Sequence, residues 1–97
     1  MSSYTEERIR RRIRFYGQVQ GVGFRYRAEH AAGMTGATGW VRNDPDGAVT
    51  MEIQGTEEQI DQVVLAVERG RFVRIETMDV KTIAVLENER DFVSLGS

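Results

Sequence analysis

The chain has 97 residues, 40% hydrophobic and 29% charged, the ordinary proportions of one globular domain with a single core. It holds no cysteine and one histidine, which excludes disulfides, thiolate chemistry and cysteine-ligated zinc and leaves no spacing for a histidine-built metal centre. The net charge of −2 is uneven: residues 1–42 carry eight arginines against three acids, and residues 43–97 five basic residues against twelve acids. An acidic whole argues against a nucleic-acid binder, whereas the basic first half suits a small anionic ligand. No apolar run approaches the roughly 20 residues of a membrane span, and the polar start lacks the apolar stretch of a signal peptide. A cytoplasmic protein without membrane attachment is the expectation.

Residues 1–7 read as a flexible tail and residues 8–97 as one domain. Ile13, Phe15, Gly17 and Val19 alternate with polar residues, so residues 8–19 form a first strand. Its arginine run, Arg8 to Arg14, reads as a solvated strand face. The next residues, Gly17-Gln18-Val19-Gln20-Gly21-Val22-Gly23-Phe24-Arg25, run from that strand through glycine-spaced positions into a helix start. Glycines let successive N–H groups point into one concavity, and a helix start adds unpaired donors and a positive dipole end. Arg25 adds a planar, permanently charged fork matched to phosphate oxygens. The run lacks the GK[ST] ending of a nucleotide loop and the third glycine of a dinucleotide fingerprint.

Phe24, Ala28, Ala31 and Ala32 recur at helical spacing, with Gly33 or Gly36 available to end the helix. Thr38 to Asn43 is a short strand, with Trp40 read as a core residue. Asp44-Pro45-Asp46-Gly47 signals a tight turn. Val49, Met51 and Ile53 alternate with Thr50, Glu52 and Gln54, making residues 48–54 the strand opposite. Thr56-Glu57-Glu58-Gln59 is a capping-box pattern, and Ile60, Val63, Val64 and Val67 give an amphipathic helix over 56–69. A fourth strand falls within 74–86, with Met78 to Leu86 as its preferred span, and Phe92 to Leu95 can add a fifth. Apolar residues on both faces leave the fourth strand's register open. The order predicts an α+β fold: a ferredoxin-like split β-α-β sandwich (βαββαβ), mostly antiparallel, with two helices on one face.

Two motifs, Gly17 to Arg25 and Gly39-Trp40-Val41-Arg42-Asn43 followed by Asp46-Gly47, give the chain a close resemblance to the acylphosphatase family. The likeness runs from about residue 8 to residue 95, with an unusually charged stretch at Asn88-Glu89-Arg90-Asp91. It implies hydrolysis of the carboxyl–phosphate bond of small acyl phosphates to a carboxylate and inorganic phosphate, with no metal and no cofactor. Carried over by position, Arg25 is the phosphate-binding arginine and Asn43 the asparagine that positions the attacking water. The backbone N–H groups of Gln20, Gly21, Val22, Gly23, Phe24 and Arg25 form the phosphate cradle. Inorganic phosphate or sulfate then competes with substrate, and a monomer is expected.

Each residue also has a plainer reading. Arg25 alone could pair with Glu29 one turn later, Asn43 before Asp44-Pro45 could be a turn former, and His30 reads as structural or solvated. Two other functions share the fold order. A single-strand RNA reader would need outward aromatics on the central strands, where the chain offers few. A non-catalytic phosphometabolite sensor would bind phosphate without turnover. Nothing in the residues selects the acyl half of the substrate.

Overall fold

Ile13 and Phe15 alternate with Arg12 and Arg14, and that alternation decides which side of the sheet the helices cover. A computed structural model describes residues 7–96. Its elements are β1 (Ile9–Gln18), α1 (Phe24–Thr35), β2 (Thr38–Asn43), β3 (Val49–Gly55), α2 (Glu57–Glu68), β4 (Arg74–Ile83) and β5 (Phe92–Leu95). The sheet order is β4-β1-β3-β2-β5, antiparallel except for the β2–β5 pair. This is the expected ferredoxin-like α+β fold, with β5 added in parallel outside β2. The expected tail, residues 1–7, lies outside the described residues apart from Glu7.

Ile13, Phe15 and Val19 of the first strand and its loop, Val41 of β2, and Val49, Met51 and Ile53 of β3 are buried together. Phe24, Ala28 and Ala32 of α1 close over them, as do Ile60, Val63 and Val67 of α2. Each large apolar side chain so covered contributes about 1.5–3 kcal/mol of transfer free energy. Thr56 accepts from the Gln59 N–H while Gln59 Oε1 accepts from the Thr56 N–H, so the capping box forms as predicted. Gln59 Nε2 also donates to the Thr35 carbonyl at 2.7 Å, tying the end of α1 to the start of α2.

Three expectations are corrected. The fourth strand begins at Arg74 and ends at Ile83, because it pairs along β1 from Gln18↔Arg74 to Arg10↔Ile83. A register shift between Tyr16 and Gly17 sets Ile75 and Met78, of opposite parity, against the same core, which explains the unreadable apolar pattern. Arg10 is fully buried rather than solvated. Its Nε donates to Glu52 Oε1 (3.0 Å) and its Nη1 to Gln54 Oε1 (3.2 Å) and Glu89 Oε1 (2.7 Å). Arg10 Nη2 stands 3.0 Å from Glu52 Oε1 as an ion pair, without hydrogen-bond alignment. Trp40 is half-buried on the helix-free face, with the Arg42 guanidinium 5.0 Å from its ring centroid, and is not part of the core. The turn expected at Asp44-Pro45-Asp46-Gly47 forms, with Gly47 N–H donating to the Asp44 carbonyl at 3.1 Å and Asp44 N–H to the Ala48 carbonyl at 2.8 Å.

Candidate active site

β1 and β2 both run antiparallel to the central β3, so they point the same way and finish at the same end of the sheet. Phe15, Val49 and Asn43 form one row across these three strands. Residues two apart on a strand share a face. Asn43 therefore lies on the helix side with Val41, at the end where the glycine-rich loop leaves β1. β5 runs parallel to β2 and finishes there too, with Leu95 opposite Arg42.

The loop is anchored from below. Val19 and Phe24 are buried at its two ends, Val22 packs partly against the core, and the Phe24 ring meets Phe15 edge-on at 4.8 Å. Phe15 belongs to the Asn43 row, so this aromatic contact sets the start of α1 above that row. Gly21 and Gly23 both have positive φ, 71° and 81°, a conformation that a side chain would strain. Gly23 is the N-cap of α1 and, being glycine, supplies no side-chain cap to the first-turn N–H groups. The first turn holds no acid. Helix α2 differs: Thr56 and Gln59 occupy its start.

Arg25 points from the first turn of α1 toward β5, where its Nη1 donates to the Leu95 carbonyl at 3.0 Å. Leu95 pairs with Arg42, the neighbour of Asn43, so Arg25 and Asn43 flank the same strand end. Gln20 has a role that its loop position did not suggest. Its side-chain amide donates to the carbonyls of Asp44 (2.7 Å) and Ala48 (2.8 Å), bolting the loop to the β2–β3 turn. His30 stacks on Tyr26 with ring centroids 6.2 Å apart, one turn further along α1.

Asp44, directly after Asn43, was legible only as a turn residue. Its buried carboxylate accepts from Thr50 Oγ1, from Arg42 Nε at 3.0 Å and from Arg14 Nε at 3.3 Å. Burial pushes this carboxyl up, but the Thr50 and Arg42 bonds and the charges of Arg42 and Arg14 outweigh it and hold it below the ordinary carboxylate value. Two cavities are lined by residues outside the Arg25–Asn43 pair. One of about 420 Å³ is bounded by Glu68 of α2 and Ile75 to Met78 of β4. The other, about 460 Å³, opens on the helix-free face between Arg12, Arg14, Trp40 and Arg42. Among the described residues, no helix is long and apolar enough to cross a membrane.

By architecture the chain is a ferredoxin-like α+β protein with a glycine-spaced, arginine-bearing turn from its first strand into its first helix. A family model described as Acylphosphatase matches residues 11–94. An acylphosphatase of Oceanobacillus iheyensis is 44% identical over 75 residues, spanning 75% of this chain and 82% of the relative. One of Clostridium acetobutylicum is 41% identical over 81 residues, spanning 82% and 89%. The crystal structure of acylphosphatase from Bacillus subtilis superposes with a TM-score of 0.82 at 34% identity, over 91% of this chain and 99% of that one. The chain belongs to the acylphosphatase family.

Proposed function

We propose that this chain hydrolyses the carboxyl–phosphate bond of small acyl phosphates by positioning and electrostatics alone, without metal or cofactor. Family membership supports the reaction class, an acid-anhydride hydrolase acting on acyl phosphates. The observation that carries the finer reading is the side-by-side placement of a glycine-capped, acid-free helix start, Arg25, and the β2 end bearing Asn43.

In this reading the amides of Gln20 to Arg25 and the Arg25 guanidinium hold the phosphoryl oxygens. Phosphoryl transfer to water needs charge stabilised on those oxygens and a nucleophile in line, more than covalent help from the protein. Preorganised donors in a fixed loop supply that stabilisation without reorganising at the moment of reaction. Asn43 is neutral at every working pH, so its carboxamide accepts from and orients a water but does not take its proton. The departing carboxylate is a good leaving group, and the substrate itself serves as proton acceptor. One P–O bond forms to water as the bond to the acyl oxygen breaks.

A synthetic aryl acyl phosphate assayed with a chelator tests this reading. Turnover should persist in the chelator, and inorganic phosphate or sulfate should inhibit competitively, because the loop recognises the phosphoryl group. Arg25→Gln should weaken both phosphate inhibition and turnover. A protein that binds phosphate yet leaves the substrate intact would instead be a sensor, and dependence on added magnesium would overturn the metal-free scheme.

A further inference from the structure

We propose that Asp44 is a positioning residue for the hydrolysis, holding the end of β2 so that Asn43 faces the phosphate loop. The inference rests on the water-orienting role given to Asn43 above.

Every hydrogen-bonding group of Asp44 is engaged. Its N–H donates to the Ala48 carbonyl at 2.8 Å, and its carbonyl accepts from Gly47 N–H (3.1 Å) and Gln20 Nε2 (2.7 Å). Its carboxylate collects Arg14 of β1, Arg42 of β2 and Thr50 of β3. One residue thus joins three adjacent strands and the phosphate loop, immediately beside Asn43. An aspartate that merely forms a turn bonds the N–H groups of its own turn. In this turn Asp46 has that task, accepting from the Ala48 N–H at 3.1 Å. The Asp44 side chain reaches back across the sheet instead.

This clamp lies on the helix-free face, so it acts on Asn43 through the backbone rather than by contact with substrate. The other charged groups around it are Asp46, which takes Arg14 Nη2 at 2.6 Å, and the Arg12–Glu52 pair one row further along β1 and β3. The carboxylate is matched by two guanidinium groups, so a neutral replacement of equal size removes the charge facing Arg42 and leaves Arg14 with Asp46 alone. An orienting amide tolerates little displacement, since misplacement by about 1 Å can cost about a hundredfold in rate.

Asp44→Asn keeps the size and an acceptor for Thr50 but removes the charge. Steady-state hydrolysis of an aryl acyl phosphate is compared for wild type, Asp44→Asn, Asn43→Ala and the double variant, with inorganic phosphate inhibition as the binding readout. The expected result is a fall in kcat of about tenfold for Asp44→Asn, with KM and phosphate inhibition within about twofold. In the Asn43→Ala background the same change should lower kcat no further, the non-additivity of residues acting as one unit. Arg42→Gln, at the half-exposed side of the clamp, should lower kcat in the same direction by a smaller factor. If Asp44→Asn does not fold, Arg42→Gln paired with Asn43→Ala carries the same cycle. Unchanged kcat in Asp44→Asn, or an equal fall in both backgrounds, would overturn the positioning role. Unchanged kcat in Asn43→Ala would overturn the water-orienting reading instead.

Discussion

Arg25 Nη1 donates to the Leu95 carbonyl oxygen at 3.0 Å, joining the first turn of α1 to the end of the last strand across 70 residues of sequence. The bond fixes one arm of the guanidinium beside the β2 end and leaves the fork's remaining donors to other partners. The last strand is therefore tied through its backbone to the proposed phosphate site. Ending the chain after Val93 removes that carbonyl. Inorganic phosphate inhibition should weaken by about three- to tenfold, the scale of one partly solvated hydrogen bond to a charged group. Competitive inhibition measured alongside urea unfolding checks this. Unaltered inhibition in a folded truncated protein would remove Leu95 from the site.

Arg10 supplies a stability test away from the chemistry. Its guanidinium is buried between Glu52, Gln54 and Glu89, and Thr38 Oγ1 also donates to Glu89 at 2.7 Å. Removing the cation leaves buried carboxylate oxygens poorly matched, a change that typically costs about 3 kcal/mol or more. Arg10→Met should lower urea-unfolding stability by about that amount with kcat/KM of the folded protein retained. A loss under about 1 kcal/mol would mean that Arg12, which also binds Glu52, suffices to hold it.

Acid should unfold the protein through the same helix-free face. Burial raises the Glu52 carboxyl, but bonds and charges from Arg12 and Arg10 outweigh it and hold the group below its ordinary value. Asp44 is lowered likewise. For a depressed carboxyl, the unfolded state binds protons first as pH falls. The stabilisation is then present above the unfolded value near pH 4 and is lost as pH falls through the folded value. Urea unfolding from pH 7 to pH 2 should show a fall beginning between about pH 5 and 4. Asp44→Asn should have a shallower slope in that window. An identical slope in the variant would show that Asp44 titrates alike in both states.

The repeat patterns in the chain were enough for much of this fold. Alternation in β1 and β3, the helical spacing of Phe24, Ala28 and Ala32, and the Thr56–Gln59 cap are local signals, and local geometry follows them. The β4 register was not legible, because the shift opposite Tyr16 and Gly17 changes the phase of its apolar residues and belongs to a pair of strands. Arg10 misled for a related reason. Arginine in a strand signals solvent unless its carboxylates arrive from elsewhere, and Glu52 and Glu89 lie 42 and 79 residues away. Of the site, Arg25 and Asn43 were legible through motif resemblance, and the strand pairing sets both beside one sheet end. The side-chain errands of Gln20 and Asp44 were hidden, since each depends on a partner from another element.

The kinetic signature of Asn43→Ala tests the central claim most directly. Loss of one preorganised transition-state contact typically costs about 3 kcal/mol, or roughly a hundredfold in rate. The account predicts that kcat for an aryl acyl phosphate falls by about that factor while inhibition by inorganic phosphate stays within about twofold. Near-normal turnover in the folded variant would contradict it.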